Sequence, residues 1–268
     1  MAIMSSPVPQ STASLPGGGA MPFLGFGTWQ LTGEAAHEAS LAALQAGYRH
    51  LDTATMYRNE REVGTAIASS GISREDLFVT TKLPPDHVGK ELATLNESLA
   101  LLGVDLVDLW LVHWPPAAES GIGVWQKLLE AREQGLAKDV GVSNYSLEQL
   151  DQLADATGTM PAVNQIHWSP LLFSAEIVAG HRERGVVLEG YSGLRGGTLD
   201  NAVIKGIAER LGKTPAQVII RWHLQHDIVV IPKSADPQRI AANAAVADFA
   251  LSDQDMSALD LLGESSSS

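Results

Sequence analysis

The 268-residue sequence contains no cysteine. Disulfide bonds, thiolate catalysis and cysteine-ligated metal centres are therefore excluded, and the absence fits a reducing cytoplasm. Positive charge is also scarce: 18 Lys and Arg stand against 31 Asp and Glu, which gives a formal net charge of −13 at pH 7. Such an acidic chain offers no basic surface for nucleic acid or for an anionic membrane, so we expect neither partner.

Long apolar runs and a targeting pattern are missing as well. The sequence has no run of 18 apolar residues, the length that a membrane-spanning helix needs. A secretory signal begins with basic residues before an apolar run, whereas the first basic residue here is Arg49. We therefore expect a cytoplasmic protein. At 45% hydrophobic residues, the chain has enough apolar material for a globular core.

The organisation of the chain predicts one domain over residues 13–263, because no linker or shift in composition divides it. Residues 1–12 are rich in Ser and Pro and residues 264–268 are mostly Ser, so we expect two flexible tails. Residues 14–15 and 20–24 flank a Pro-Gly-Gly-Gly turn, which predicts an N-terminal β-hairpin.

Short apolar runs recur after the hairpin, with a helical pattern in each gap. They begin near Phe26, Arg49, Leu77, Val107, Asp139, Val163, Val187 and Ile228. This alternation predicts a parallel sheet with helical crossovers, and eight such units match the α/β fold of a (β/α)8 TIM barrel. An open doubly wound sheet is the alternative. That fold commonly carries a G-x-G-x-x-G turn after its first strand, whereas residues 25–29 read Gly-Phe-Gly-Thr-Trp.

Several helix ends are marked by the sequence. A leucine stripe predicts a helix over residues 90–103, and the pairs Ser146/Gln149 and Thr214/Gln217 form capping boxes. The gap before the eighth strand has room for two helices, over about residues 199–211 and 215–226. A last helical pattern covers residues 255–261.

Polar residues end several of the apolar strands, and in a barrel the strand ends carry the chemistry. Lys82 ends a strand so apolar that its burial would be costly without a partner, and Asp52 ends the preceding strand. His113 ends the next one. Tyr57 follows Asp52 by five residues, and an ammonium beside a phenol lowers its pKa. The combination predicts a catalytic site with Tyr57 as general acid.

These residues lie in segments that resemble the aldo-keto reductase family, most closely its bacterial 2,5-diketo-gluconate reductase-like members. The similarity extends from about residue 20 to residue 260. The segments that carry it include Leu24-Gly-Phe-Gly-Thr-Trp29, Leu51-Asp-Thr-Ala54, Val79-Thr-Thr-Lys82, Val107-Asp-Leu-Trp-Leu-Val-His-Trp-Pro115, Gly141-Val-Ser-Asn-Tyr145, Pro161-Ala-Val-Asn-Gln-Ile166, Thr214-Pro-Ala-Gln217 and Ile231-Pro-Lys-Ser234.

The resemblance implies an NADPH-dependent oxidoreductase that reduces an aldehyde or ketone to an alcohol by hydride transfer. Tyr57 would protonate the carbonyl oxygen, Lys82 would lower the pKa of that tyrosine, and Asp52 would hold Lys82. His113 would orient and polarise the carbonyl group. Trp29 and Trp114, with Tyr57 and His113, would form the substrate pocket. The resemblance also implies a monomer and no metal.

The family's cofactor contacts are transferred by resemblance, residue by residue. Ser143, Asn144 and Gln165 would hold the carboxamide, and Tyr191 would stack on the nicotinamide. Ser192 and Leu194 would touch the pyrophosphate. The remaining residues expected to bind the cofactor are Thr28, Trp29, Asp52, Ile231, Lys233, Ser234, Arg239 and Asn243; of these, Lys233, Ser234 and Arg239 would meet the 2′-phosphate and Asn243 the adenine.

The sequence departs from the family pattern at three places. Ser192-Gly193-Leu194 stands for Ser-Pro-Leu, which predicts a looser pyrophosphate loop. Ala242 replaces a Glu that would contact adenine. Gln165-Ile-His-Trp-Ser-Pro170 stands for Gln-Ile-Glu-x-His-Pro. The chain also ends soon after its last helical pattern, so we expect a short C-terminal tail in place of the family's loop over the pocket, and hence an open pocket that accepts bulky ketones.

Two other functions remain open from the sequence. A metal-dependent hydrolase on the same barrel could use His50 and Asp52 with side chains of later strands, namely Lys82, His113 and His167, although residues 228–234 supply no further ligand. His223 and His226 share a helix face without a visible third ligand. A nucleotide-sensing subunit would bind the cofactor without turnover, but it would not need an acid such as Tyr57.

Overall fold

The structure is a computed structural model that describes residues 8–116 and 121–264. Residues 1–7 and 265–268 of the two predicted tails lie outside the described residues. Val8, which belongs to the predicted N-terminal tail, is only 3% exposed and packs in the main hydrophobic cluster.

The predicted hairpin is present. Strands β1 (Thr12–Ser14) and β2 (Ala20–Pro22) pair antiparallel. The N–H groups of Gly17 and Gly19 donate to the two carboxylate oxygens of Asp139, at 2.6 and 3.3 Å. A Cβ at Gly17 would lie 2.2 Å from the carbonyl oxygen of Lys138, so the turn can approach the sheet this closely only with glycine.

Eight parallel strands follow, in chain order within one sheet. They are β3 (Phe26–Gly27), β4 (His50–Asp52), β5 (Phe78–Leu83), β6 (Val107–Val112), β7 (Ala137–Ser143), β8 (Val163–His167), β9 (Val187–Tyr191) and β10 (Val229–Val230). A parallel bridge between Leu24 and Val230 links the two ends of this sheet. Sequential order is typical of the (β/α)8 fold, whereas a doubly wound sheet reverses its order at a switch point, so the doubly wound alternative is wrong.

Ten helices are found in the described part of the chain. They are α1 (Glu34–Gln45), α2 (Glu60–Ser69), α3 (Glu91–Leu102), α4 (Gly121–Glu133), α5 (Leu147–Thr157), α6 (Ala175–Glu183), α7 (Ala202–Leu211), α8 (Pro215–Gln225), α9 (Pro237–Ala244) and α10 (Asp253–Glu264). None of the helices in residues 8–116 and 121–264 is long and apolar enough to cross a membrane.

The helix predictions are confirmed where a cap marks the boundary. Both capping boxes form, at the starts of α5 and α8, and α3 ends at Gly103 in the left-handed conformation. Helix α7 begins three residues later than predicted because Asn201 accepts hydrogen bonds from the N–H groups of Val203 and Ile204. The last helix is longer than the predicted 255–261, since Ser252 caps its first turn through the N–H of Asp255.

The hydrophobic core has three clusters, and they position the site. The largest packs the strands against helices α1 to α5 and includes the buried Trp110 and Trp125. A second lies around α7, α8 and α10 and includes the buried Trp222. The third joins Leu15 and Met21 of the hairpin region to the sheet. Polar residues are buried among these strands, and several of them meet at one place.

Candidate active site

Asp52 and Lys82 form a buried ion pair at the ends of neighbouring strands β4 and β5. The Nζ atom of Lys82 lies 2.6 Å from Oδ1 of Asp52 and donates to the carbonyl oxygen of Thr53 at 2.9 Å. Lys82 is 0% exposed and Asp52 is 1% exposed. Although burial lowers the pKa of Lys82, interactions led by the charge of Asp52 more than offset it, so the pKa is raised and the ammonium is kept. The predicted pairing is therefore present.

Tyr57 lies beside this pair, on a short turn after β4. The Nζ atom of Lys82 is 5.1 Å from the centroid of its ring. Asn59 anchors the turn: it accepts from the Thr53 hydroxyl at 2.7 Å and donates to the carbonyl oxygens of Thr28 and Leu31, both at 2.9 Å. These bonds tie the segment that carries Tyr57 to the end of β3.

The pKa of Tyr57 corrects one expectation. Burial raises it above its usual value, and the charge of Lys82 opposes that rise without reversing it. The expected net lowering was wrong, because the loss of water around the phenol outweighs the charge of the Lys82 ammonium. Tyr57 is consequently a protonated phenol at neutral pH, next to a cation that would stabilise its phenolate.

His113 faces Tyr57 from the end of β6. The two rings meet edge to face with centroids 5.6 Å apart. Burial, and after it the charge of Lys82, lower the pKa of His113 to about 3, so the imidazole is neutral at physiological pH. Its Nδ1 atom is buried and has no hydrogen-bond partner among the residues that the structure describes.

A chain of hydrogen bonds connects the next strand ends to Asp52. Gln165 donates to Oδ2 of Asp52 at 2.9 Å, and the Ser143 hydroxyl donates to the carbonyl oxygen of Gln165 at 2.8 Å. Asn144 donates to the Ser143 hydroxyl at 3.0 Å and accepts from the Tyr191 hydroxyl at 2.8 Å. The four residues predicted to hold the nicotinamide end of the cofactor are thus neighbours in space.

One cavity of about 740 Å³ joins most of the predicted site residues. Those that line it are Trp29, Asp52, Tyr57, His113, Trp114, Ser143, Asn144, Gln165, Tyr191, Ser192, Leu194, Ile231, Lys233, Ser234, Arg239 and Asn243. Two do not. Lys82 lies behind Asp52, and Thr28 is buried with its hydroxyl donating to the carbonyl oxygen of Asp52 at 3.0 Å.

Twelve further residues line the cavity that were not predicted to bind the cofactor or the substrate. They are Gly27, Gln30, Met56, Gly193, Arg195, Leu199, Thr214, Pro215, Ala216, Val230, Pro232 and Ala242. The capping box at Thr214 was a usable signal, since it marks a helix start close to the strand-end face. Gly27, Pro232 and the two residues after Thr214 also lie in the segments that resemble the family, and Gly193 and Ala242 stand where the sequence departs from its pattern. The remaining five carry no motif, and only the path of the chain brings them to the cavity.

Lys233, Ser234 and Arg239 lie at the β10–α9 end of the cavity. Asp236 caps α9 through the N–H groups of Gln238 and Arg239, at 2.8 and 3.1 Å. The Arg239 guanidinium, 72% exposed, is 3.6 Å from the same carboxylate. Two cations and a hydroxyl therefore line the same cavity as Tyr57 and His113.

The loop after β9 crosses the cavity towards the loop after β3. Arg195 donates to Oε1 of Gln30 at 3.1 Å, and its guanidinium lies 4.7 Å from the centroid of the Trp29 ring. At Gly193, a Cβ would lie 3.1 Å from Cε1 of His223 and 3.2 Å from the carbonyl oxygen of Trp168. The backbone is therefore closely packed where glycine replaces proline, and the looser loop stays a prediction.

The departure at residues 167–169 also has a structural account. His167 stacks on Tyr191, with centroids 5.6 Å apart and an interplanar angle of 15°. Trp168 is buried against Phe173, and Ser169 is buried ahead of the turn at Pro170. The changed segment therefore supports Tyr191 and fills space below the loop after β9.

Three of the residues considered for a metal site, Asp52, His223 and His226, make other contacts. Within the described ranges, His50, Asp52 and Glu189 offer ligand-type atoms within 4.8 Å of one another. The Lys82 ammonium already bonds to that Asp52 carboxylate at 2.6 Å, so a cation is in place. His226 lies 2.8 Å from Asp260, and Nδ1 of His223 lies 2.8 Å from the carbonyl oxygen of Ile219.

Comparison with known proteins finds one family over nearly the whole chain. The model of the aldo/keto reductase family matches residues 23–264. An aldo-keto reductase of Mycolicibacterium smegmatis is 48% identical over 90% of each chain. A methylglyoxal reductase of Salmonella typhimurium is 42% identical over 87% of this chain and 86% of its own.

Solved structures agree with the fold described above. An aldo/keto reductase from Brucella melitensis has a TM-score of 0.90 at 40% identity, covering 95% of this chain and 99% of that one. An aldo-keto reductase of Bombyx mori, solved in complex with NADP, has a TM-score of 0.86 at 32% identity, covering 94% and 92%.

Sequential parallel strands with a polar site at their carboxyl ends define a (β/α)8 enzyme, and the matched proteins make it an oxidoreductase. The chain belongs to the aldo/keto reductase family.

Proposed function

We propose that this protein reduces aldehydes and ketones to alcohols with NADPH, and that Tyr57 donates the proton to the carbonyl oxygen. The observation that carries the proposal is one cavity that is lined by Tyr57 and His113 and also by Lys233, Ser234 and Arg239. Such a cavity suits a long dinucleotide whose reactive ring and phosphate lie far apart. The NADP complex of the Bombyx mori relative supports this cofactor.

The residues present fit NADPH. Tyr191 offers a ring at the cavity wall, and the linked side chains of Ser143, Asn144 and Gln165 offer amide and hydroxyl groups for a carboxamide. Arg239 supplies a planar fork and Lys233 a point charge, the combination that suits a phosphate dianion. When bound, the cofactor supplies the hydride that the carbonyl carbon accepts.

The protein's own residues supply the proton and the polar surroundings. The Tyr57 hydroxyl holds the proton at neutral pH because burial raises its pKa. As the carbonyl oxygen gains charge it takes this proton, which leaves a phenolate that water reprotonates after the reaction. The Lys82 ammonium stabilises that phenolate, and Asp52 fixes the ammonium through the 2.6 Å ion pair. Neutral His113 contacts the carbonyl oxygen and orients it.

The substrate wall is apolar and partly aromatic. Trp29, Met56, Trp114 and Leu199 are exposed large side chains that line the cavity. Such a wall accepts many carbonyl compounds. The methylglyoxal reductases among the relatives make a small 2-oxoaldehyde a suitable first substrate to test.

Turnover separates this function from its alternatives. We expect NADPH oxidation with methylglyoxal and with a simple aromatic aldehyde, at rates that a metal chelator leaves unchanged. Binding of NADPH without turnover of any aldehyde, ketone or keto-sugar would favour a sensor. Activity that a chelator abolishes and added metal restores would favour a metal enzyme.

The cofactor preference is tested at Arg239. We expect Arg239→Ala to weaken NADPH binding by about 1.5–3 kcal/mol, the range for a hydrogen bond to a charged group, because the variant removes a donor to the 2′-phosphate. NADH lacks that phosphate, so its Kd should stay nearly unchanged. Fluorescence titration with both cofactors measures the difference.

Arg182→Ala is the matched control, since Arg182 is an exposed arginine on α6 that does not line the cavity. It should leave both Kd values as they are. If Arg239→Ala weakens the binding of NADPH and NADH equally, the guanidinium does not contact the 2′-phosphate.

We further propose a monomeric, cytoplasmic enzyme with a single domain over residues 13–263. The absence of cysteine supports the reducing compartment. The family match across residues 23–264 supports one undivided domain.

A further inference from the structure

Glu189 is a buried carboxyl group next to the catalytic residues that the mechanism above does not use. It lies in β9 and is 0% exposed, with Gln165 of β8 and Val229 of β10 as its register partners. Neither of its carboxyl oxygens has a hydrogen bond of normal geometry among the residues that the structure describes. It does not line the cavity, so it cannot touch a substrate there.

The groups that face Glu189 leave it without a cation of its own. From β4 come Asp52 and His50, whose Nε2 atom is 3.9 Å from Oε1 of Glu189. From β5 comes Lys82, the only cation among the described groups that act on Glu189, and it is bonded to Asp52. Gln165 is uncharged, and its side chain opposes the rise in the pKa of Glu189 without reversing it. Strand β10 contributes only Val229 and Val230.

His50 does not balance a charge on Glu189 either. Burial lowers the pKa of His50 to about 4, and its Nε2 atom is 3.1 Å from the Thr80 hydroxyl. The imidazole is thus neutral at physiological pH. With Lys82 committed to Asp52, a second carboxylate here would be an uncompensated charge in the interior, which is costly. Burial, and then the charge of Asp52, raise the pKa of Glu189 to about 8.

We propose that Glu189 is a positioning residue for the proton donor: it is held as a neutral carboxylic acid during carbonyl reduction, and its ionisation in alkaline solution makes Tyr57 a weaker acid. The proposal rests on the proposed role of Tyr57. Its physical basis is that a carboxylate at this position places a second negative charge near the phenol, which disfavours the phenolate. Once ionised, Glu189 raises the pKa of Tyr57, and it also raises the pKa of Lys82.

The direction of the pH effect follows. Below about pH 8 Glu189 is protonated and the site carries one carboxylate and one ammonium; above it the site gains a negative charge. Because that charge hinders proton donation, kcat/KM for aldehyde reduction by the wild type should fall as the pH rises through this value. Glu189→Gln keeps the shape of the neutral acid but cannot ionise, so this decline should be absent.

The experiment compares pH profiles of kcat/KM with NADPH and a simple aldehyde. Between about one pH unit below and one above this pKa, we expect a roughly tenfold decline in the wild type and less than about threefold in Glu189→Gln, with similar rates on the acidic side. Glu60→Gln is the matched control. Glu60 is also buried with a raised pKa, but it accepts from Thr81 and Ser98, so its variant should keep the wild-type profile.

Infrared spectroscopy of the enzyme without substrate reports the proton directly. The band of a protonated carboxyl group should be present in wild type and Glu60→Gln about two pH units below the pKa, disappear two units above it, and be absent in Glu189→Gln. If Glu189→Gln does not fold, the carboxyl band in the Glu60→Gln spectra is sufficient to test whether Glu189 is protonated. No such band in Glu60→Gln, or superimposable pH profiles for wild type and Glu189→Gln, would overturn the proposal. A pH-dependent band in an enzyme without turnover would instead show that the proposed function has failed and that the protonation of Glu189 stands.

Discussion

Tyr57→Phe is expected to lower kcat for a simple aldehyde by about 10²–10⁴-fold, the range for the loss of a general acid. The variant removes only the hydroxyl that holds the proton, and it keeps the ring that packs edge to face on His113. The Kd for NADPH should therefore change by no more than a few fold. Steady-state kinetics and a fluorescence titration measure the two quantities on the same preparation.

Tyr145→Phe is the matched control. Tyr145 is another buried tyrosine, its hydroxyl has no hydrogen-bond partner among the described residues, and it does not line the cavity. Its variant should keep kcat within about twofold, since a surface or core change away from the chemistry has little effect on proton donation. If Tyr57→Phe retains more than a tenth of the wild-type kcat, Tyr57 is not the acid.

Lys82→Met is expected to damage both activity and stability. Removing the ammonium takes away the cation that stabilises the Tyr57 phenolate, so kcat should fall by about as much as in Tyr57→Phe. It also leaves the Asp52 carboxylate, 1% exposed, with Gln165 as its remaining side-chain donor. Breaking a buried ion pair by removing one partner typically costs about 3–5 kcal/mol of the free energy of unfolding. Urea unfolding measures that loss.

A second substitution separates the two effects. Asp52→Asn in the Lys82→Met background removes the orphaned charge, so stability should recover in large part while kcat stays low. Lys127→Met is the control for losing a lysine as such, because Lys127 pairs with Glu130 on the surface and should matter little to either quantity. Full activity in Lys82→Met, or unchanged stability, would mean that the ion pair does not support the site.

The fold could be predicted from periodicity because local rules and tertiary structure agree in this chain. All eight parallel strands lie where apolar runs predicted them, and both capping boxes begin helices. Boundaries failed where a side-chain cap outweighed the apolar pattern. Asn201 delays α7 by three residues, and Ser252 starts α10 two residues before the predicted pattern.

The site could be predicted only where a polar residue ends a strand. Asp52, Lys82 and His113 were found in this way because parallel strands bring their carboxyl ends to one face. Glu189 was missed because it lies within an apolar strand, Val-Val-Leu-Glu-Gly-Tyr, and not at its end. A charge inside such a run was a usable signal, since an acid buried there needs a partner or a proton.

Contacts between residues far apart in the chain, and the net direction of a pKa shift, could not be predicted from the sequence. The stacking of Arg195 on Trp29 joins residues 166 positions apart in the chain, and no motif connects them. The net direction of the Tyr57 pKa depends on how burial and the Lys82 charge compare, which requires coordinates.

The most direct test of the account follows the hydride and the proton in one reaction. NADPH carrying deuterium in place of both hydrogens at C4 of the nicotinamide is mixed with a simple aldehyde and either wild type or Tyr57→Phe, and the alcohol is analysed by mass spectrometry. The account predicts that wild type places deuterium on the former carbonyl carbon, and that Tyr57→Phe forms the same product at least about 10²-fold more slowly. An alcohol without deuterium, or equal rates for the two proteins, would contradict it.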